Sequence, residues 1–206
     1  RRPIARLPYD YRLWTCVRKR DVEGWAVGLH GGKFKSAEAL AWELAAKGEA
    51  ARLERHYFAA AFLDCSKCYE RVGHAKAAQR ARETGCPDGV LNLAMNTYGK
   101  PRVIQAPGSH SRPVEVNRGL LAGCGFAVRF LKAVIIGILQ DTEVDSRDYV
   151  DDIVLHKSYP YETEVALNMQ HALESIAESL DGIDQVVNKQ KEHLLLMSAD
   201  VTSVWS

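Results

Sequence analysis

Two adjacent carboxylates, Asp151 and Asp152, sit in the middle of a segment otherwise rich in strand formers, residues 147–155, RDYVDDIVL. Like charges about 4 Å apart repel by about 1 kcal/mol in water and about 4 kcal/mol at an effective dielectric of 20. Neighbouring side chains of a strand also point to opposite faces, so a continuous strand would waste one carboxylate or bury it at a cost. The segment must therefore break at the pair. That makes it a hairpin with Tyr149-Val150 on one arm and Ile153-Val154-Leu155 on the other. The Asp pair is then either a set of plain turn residues or a set of ligands for a divalent cation at the hairpin tip.

A second carboxylate bears on that choice. The apolar run Tyr57-Phe-Ala-Ala-Ala-Phe-Leu63 stops at Asp64 and reads as a buried strand, with helix as the alternative. A carboxylate closing an apolar strand is costly to bury without a partner. A two-metal site for phosphoryl or nucleotidyl transfer needs carboxylates from separate strands meeting at one point. Hard oxygen ligands select magnesium or manganese. Asp64, Asp151 and Asp152 are the candidate ligands.

The remaining elements follow from periodicity. A helix is expected from Ser36, with Leu40 and Leu44 four apart and Gly48 ending it. Residues 73–84 read as a helix closed by Gly85, and another starts at Pro87 and fades at Gly99. Val103-Ile104-Gln105 and Val114-Glu115-Val116, around Pro107-Gly108-Ser109, read as a hairpin. Residues 126–140 form an apolar helix. Val165, Met169, Leu173, Ile176 and Leu180 mark an amphipathic one, and a strand falls near 193–197. The layout is α+β, with helices packed on one face of a small antiparallel sheet.

The formal net charge of +1 hides an asymmetry. Residues 1–20 carry seven basic side chains against Asp10, while residues 141–152 carry six acidic ones against Arg147. Such a distribution suits a polyanion held near bound cations, or simply two solvated faces. Five cysteines at irregular spacing suggest a reducing compartment. Cys65-x-x-Cys68 lacks the second ligand pair that zinc would need, with only His74 and Cys86 nearby. No 18-residue apolar run exists, so no membrane span is expected. The start at Arg1, with no signal-peptide pattern, leads to the expectation of a piece cut from a longer protein.

Five segments resemble one family in the family's own order. Asp64-Cys-Ser-Lys-Cys-Tyr-Glu-Arg-Val72 resembles motif A of reverse transcriptases, commonly Asp-x-Ser-Lys-Ala-Phe/Tyr-Asp-x-Val. Tyr149-Val-Asp-Asp152 matches the Tyr-x-Asp-Asp of motif C, and Arg118-Gly-Leu-Leu-Ala-Gly-Cys-Gly125 resembles motif B. Arg2-Pro-Ile resembles a fingers segment of non-LTR retrotransposon and group II intron enzymes, and Asn188-Lys-Gln-Lys191 resembles motif D. The sequence departs from the pattern at Ala122, where motif B usually carries Gln, and at Cys68 and Glu70, where motif A usually carries Ala and Asp.

The resemblance implies a polymerase palm, ferredoxin-like and backed by helices, with partial fingers at 1–56, the palm at 57–206 with an insertion around 74–118, and no thumb. It implies RNA-directed DNA polymerisation with two Mg2+ ions, or Mn2+, on Asp64, Asp151 and Asp152. Tyr69 would be a steric gate under the sugar, Arg2 would reach the triphosphate, and Gly123 with Ala122 would lie near nucleotide and template. Lys191 would be a general acid beside the leaving pyrophosphate. The implied partners are an RNA template, a DNA primer and dNTPs, in the nucleus or cytoplasm. Two rivals stand beside this reading. An RNA-dependent RNA polymerase shares the palm, although Tyr149-Val150 and Tyr69 argue against it. A domesticated domain that binds nucleic acid without synthesis would fit the loss of Gln at Ala122.

Overall fold

The computed structural model describes residues 6–29, 36–121, 123–139, 144–149, 152–188 and 193–197. Three elements lie in the stretch that sequence periodicity left without structure: α1 (Tyr9–Val17), a 3-10 turn (Arg20–Val22) and α2 (Glu23–Gly28). Their buried positions, Tyr11, Thr15, Val22, Trp25 and Leu29, recur at spacings of four, seven, three and four, a helical stripe hidden among arginines. Then come α3 (Ala37–Leu53), β1 (Tyr57–Asp64), the single turn α4 (Cys68–Arg71), α5 (His74–Glu83) and α6 (Asp88–Tyr98). A short hairpin, β2 (Gln105–Ala106) and β3 (Ser109–His110), precedes α7 (Ala127–Leu139). β4 (Asp145–Tyr149), β5 (Asp152–Tyr159), α8 (Glu162–Asp181) and β6 (His193–Met197) complete the order.

Contacts divide the chain into two compact units. The first comprises Arg1–Leu29 and Lys67–Gly137. Its core is aromatic. Phe130 meets Trp25 at 5.9 Å and Tyr98 at 6.1 Å between ring centroids, and Phe126 meets Trp14 edge-on at 5.5 Å. Edge-to-face packing of this kind adds about 0.5–1.5 kcal/mol per pair beyond area burial. Trp25 places its indole N–H on Thr84 Oγ1 at 3.0 Å, so the buried ring carries no orphan donor. α5 and α6 pack together here, and Gly85, at φ +87°, supplies the left-handed turn between them.

The second unit comprises His30–Ser66 and Ile138–Ser206. Its four-stranded sheet runs β4-β5-β1-β6 with every pairing antiparallel. The strand succession, with helices between β1 and β4 and between β5 and β6, is the β-α-β-β-α-β pattern of ferredoxin-like sheets. β1 and β5 are the central strands. Phe58, Ala60, Phe62 and Val154 face α3, packing with Leu40, Leu44 and Ala51. Ala59, Ala61, Leu63, Ile153 and Leu155, on the other face, are buried as well. α8 packs along β5 and β1 yet contributes no residue to the α3 cluster, so its stripe of Val165, Met169, Ala172, Ile176 and Leu180 covers that second face. The expectation of helices on one face only is thereby corrected. The run of small and apolar residues in β1 lacks polar alternation because both of its faces are covered.

A second correction concerns Gly48. Ser36 caps α3 as expected, its hydroxyl accepting from Ala39 N at 3.1 Å, but the helix continues past Gly48 to Leu53. Gly48 is buried, and a Cβ placed on it would lie 3.2 Å from Met197 Sδ and 3.8 Å from Phe58. The glycine is there for close approach of helix to sheet. The 103–116 hairpin is also shorter than expected. Only two residues pair in each arm around Pro107-Gly108, followed by an isolated bridge between Arg102 and Val114.

Candidate active site

Asp64 closes β1, and Asp152 opens β5. The register of these two central strands sets them directly opposite one another as Cα partners. Opposed residues of an antiparallel pair project to the same face, with Cβ atoms about 4.5–5.5 Å apart. Like charges so placed are unfavourable, and a cation between them would relieve the repulsion. Asp64 is half-buried and Asp152 exposed, so the pair is reachable from solvent. On the far arm Tyr149 pairs with Asp152, so the two antiparallel arms read from the sequence are present, but Asp152 stands in β5 and not in the turn where the sequence reading put it. Asp151 lies outside the described residues.

A third segment meets these strand ends. Cys65 and Val187 form an antiparallel bridge, and Ser66 N donates to Val186 O at 2.8 Å. Asn188 N then donates to Asp64 O at 2.7 Å, and Asn188 Nδ2 donates to Asp64 Oδ2 at 3.1 Å. One residue thus grips both the main chain and the carboxylate of Asp64. Sequence reasoning noted Asn188 only as the head of the motif D-like segment. The signal available was its position there, but only tertiary pairing places it on Asp64. The carboxyl oxygens of Asp64 and Asp152 form a hard donor set of like charge, which fits a divalent magnesium- or manganese-type ion. Among the described residues no group of three or more His, Cys, Asp or Glu side chains is gathered for a metal.

The other sequence candidates with described positions belong to the first unit. Tyr69 is half-buried on α4, a turn preceded by Lys67 in the left-handed region at φ 53°. Its carbonyl accepts from Leu120 N at 2.8 Å, joining the motif A-like and motif B-like segments within that unit. Gly123 is exposed at φ +92°, with nothing within 4 Å of an added Cβ. There the glycine serves the backbone angle. Arg2, Ala122 and Lys191 lie outside the described residues. None of the five cysteines is in a disulfide, Cys65, Cys68, Cys86 and Cys124 are buried, and burial pushes the Cys86 thiol up to about 12. A buried thiol of that kind is inert rather than reactive. Among the described residues no helix is long and apolar enough to cross a membrane.

No protein-family model matches the chain, and no curated protein matches it. Solved structures do. The apo telomerase of Candida tropicalis, truncated of its C-terminal domain, superposes with a TM-score of 0.58 over 94% of this chain at 10% identity. The telomerase of Candida albicans, solved with a TWJ fragment of telomeric RNA, gives 0.56 over 90% at 13% identity. The fold is reverse-transcriptase-like. The chain spans 41% of the first of these telomerase chains and 33% of the second.

Proposed function

We propose that residues 1–206 are the fingers–palm part of an RNA-directed DNA polymerase of the non-LTR retrotransposon or group II intron type. The observation that carries this reading is the pairing of Asp64 with Asp152 at the ends of the two central strands, in a reverse-transcriptase-like fold. The fingers are assigned to 1–56 and the palm to 57–206, with the 74–118 segment inserted between motifs A and B. Asp64 and Asp152, with Asp151 next in sequence, would hold two Mg2+ or Mn2+ ions. Bound there, the ions supply Lewis-acid stabilisation of charge developing on the transferred phosphate. Asn188 orients the Asp64 carboxylate by its hydrogen bond. Such bonds behind a ligand fix its direction and basicity.

The remaining roles rest on the motif resemblance. Tyr69 excludes a ribonucleotide by the volume of its ring, Arg2 takes the triphosphate in the bidentate manner that suits guanidinium, and Lys191 protonates the leaving pyrophosphate. Gly123 and Ala122 border nucleotide and template. Substrates are dNTPs on a DNA primer paired to an RNA template.

The test is magnesium-dependent primer extension on an RNA template, run on residues 1–206 and on the natural polypeptide that contains them. The polypeptide should extend, and its Asp152→Asn variant should not. Residues 1–206 alone should extend poorly, because backbone contacts dominate nucleic-acid affinity and a fingers–palm fragment offers few of them. RNA binding by the natural polypeptide without extension in Mg2+ or Mn2+ would instead assign it to the binding-only class. Preferential use of ribonucleotides would assign it to the RNA polymerases.

A further inference from the structure

The turn that carries Tyr69 is stitched to the Arg118–Leu120 segment by main chain. Leu120 N donates to Tyr69 O and Gly119 N to Val72 O, each at 2.8 Å, and Gly73 bridges Arg118 in antiparallel fashion. His74 N adds a bond to Asn117 O at 2.9 Å. Gly119 stands at φ +92°, and a Cβ there would lie 3.3 Å from Glu70 O and 3.2 Å from Arg102 Nη1. Both the angle and the space require glycine at this position.

The Gly119 carbonyl is held from outside the turn. Arg102 Nη2 donates to it at 2.8 Å, and His74 Nε2 lies 3.1 Å from it. Arg102 is itself fixed, since its main chain exchanges two 2.9 Å bonds with Val114 and its guanidinium also reaches Tyr98 O at 3.4 Å. Its Nε is buried without a hydrogen-bond partner, a cost that a purely solvated arginine would not bear. Burial draws the His74 imidazole below its ordinary pKa, so near neutrality the ring is uncharged and its Nε2–H can donate. Two side-chain donors on one carbonyl are more than chain reversal demands.

We propose that Arg102 and His74 are positioning residues for sugar selection. By clamping the Gly119 carbonyl they set the backbone on which Tyr69 sits, and through it the reach of the Tyr69 ring. This rests on the reading of Tyr69 as the steric gate. The clamp acts on ribonucleotide rejection rather than on turnover in general.

The test measures kcat/KM for a deoxynucleotide and for its ribonucleotide, using the natural polypeptide that contains this chain. Variants are Arg102→Met, His74→Phe, the conservative His74→Gln, and Tyr69→Ala as the reference for a lost gate. Arg102→Met and His74→Phe should lower the deoxy-to-ribo ratio roughly tenfold, the scale of a sub-ångström misplacement. His74→Gln, whose amide can still donate to Gly119 O, should keep the parent ratio. Amide exchange of Gly119 and Leu120 should quicken in the first two variants only.

A merely structural role would lower both substrates equally and leave the ratio unchanged. That outcome, with Tyr69→Ala still relaxing selection, overturns the positioning inference alone. An unrelaxed Tyr69→Ala overturns the gate reading, and with it the inference. Absence of extension by the parent overturns the polymerase reading, while the exchange rates still report whether the clamp holds the turn. If Arg102→Met does not fold, the His74→Phe and His74→Gln pair decides.

Discussion

Asn188 binds Asp64 twice, through its main-chain N–H to Asp64 O at 2.7 Å and through Nδ2 to Asp64 Oδ2 at 3.1 Å. The second bond fixes the direction of the carboxylate. Asn188→Ala keeps the main-chain bond and loses the aim. In magnesium-dependent primer extension this variant should lose about 10- to 100-fold in activity or in apparent metal affinity. A magnesium titration of the extension rate reads both quantities. Parent-like half-saturation and rate together would remove Asn188 from the site.

Asp152 faces Asp64 across the register of β1 and β5. With an ion held there as proposed, Mg2+ should raise the melting temperature of the parent, since a ligand stabilises the state that binds it. Asp152→Asn should abolish that rise. Thermal melts with and without Mg2+ check this, and an equal rise in parent and variant would remove Asp152 from the metal site.

Gly48 predicts a packing limit. A Cβ there meets Met197 at 3.2 Å, and a branched side chain would also press on Phe58. Gly48→Val should destabilise the second unit by about 1–3 kcal/mol through overpacking. Urea unfolding measures this, with an unchanged slope expected. The companion Met197→Ala should relieve much of the loss, and strict additivity of the two would show that the contact is not the cause.

His74 gives the fold a dependence on acid. Burial, opposed by hydrogen bonds to the Gly119 and Arg118 backbone and assisted by the charge of Arg102, lowers its pKa from the ordinary 6.5. The unfolded chain therefore binds the proton more readily, and stability rises with pH where it does so. The contribution is fully present above 6.5 and is lost as pH falls from there through the lowered folded value. Denaturant unfolding between pH 8 and pH 5 should show the parent losing more stability than His74→Gln. Parallel curves would mean that His74 is as readily protonated in the fold as in the open chain.

The order of elements from β1 onward was legible in the residues because periodicity is local. Tyr57–Leu63 ran apolar into Asp64, Phe126, Phe130 and Val134 stepped by fours, and two strand-forming arms flanked the carboxylates near 152, although Asp152 itself belongs to the second arm. The α1–α2 region escaped because its few buried side chains are spaced among arginines, and short helices are stabilised by what they pack against rather than by propensity. Gly48 read as a terminus because a glycine's local preference and its absence of volume look alike in one dimension.

Residue order alone settles which side chains carry charge near strand ends. Tertiary structure decided which of them meet. Asp64 and Asp152 became opposed through the antiparallel register of β1 and β5, and a slip of one residue would have turned one of them to the other face. Asn188 reached Asp64, and Arg102 reached Gly119, across separations of 124 and 17 residues. Periodicity has nothing to say about such pairs, because they are fixed by the free energy of packing the whole chain and not by the preferences of any segment of it.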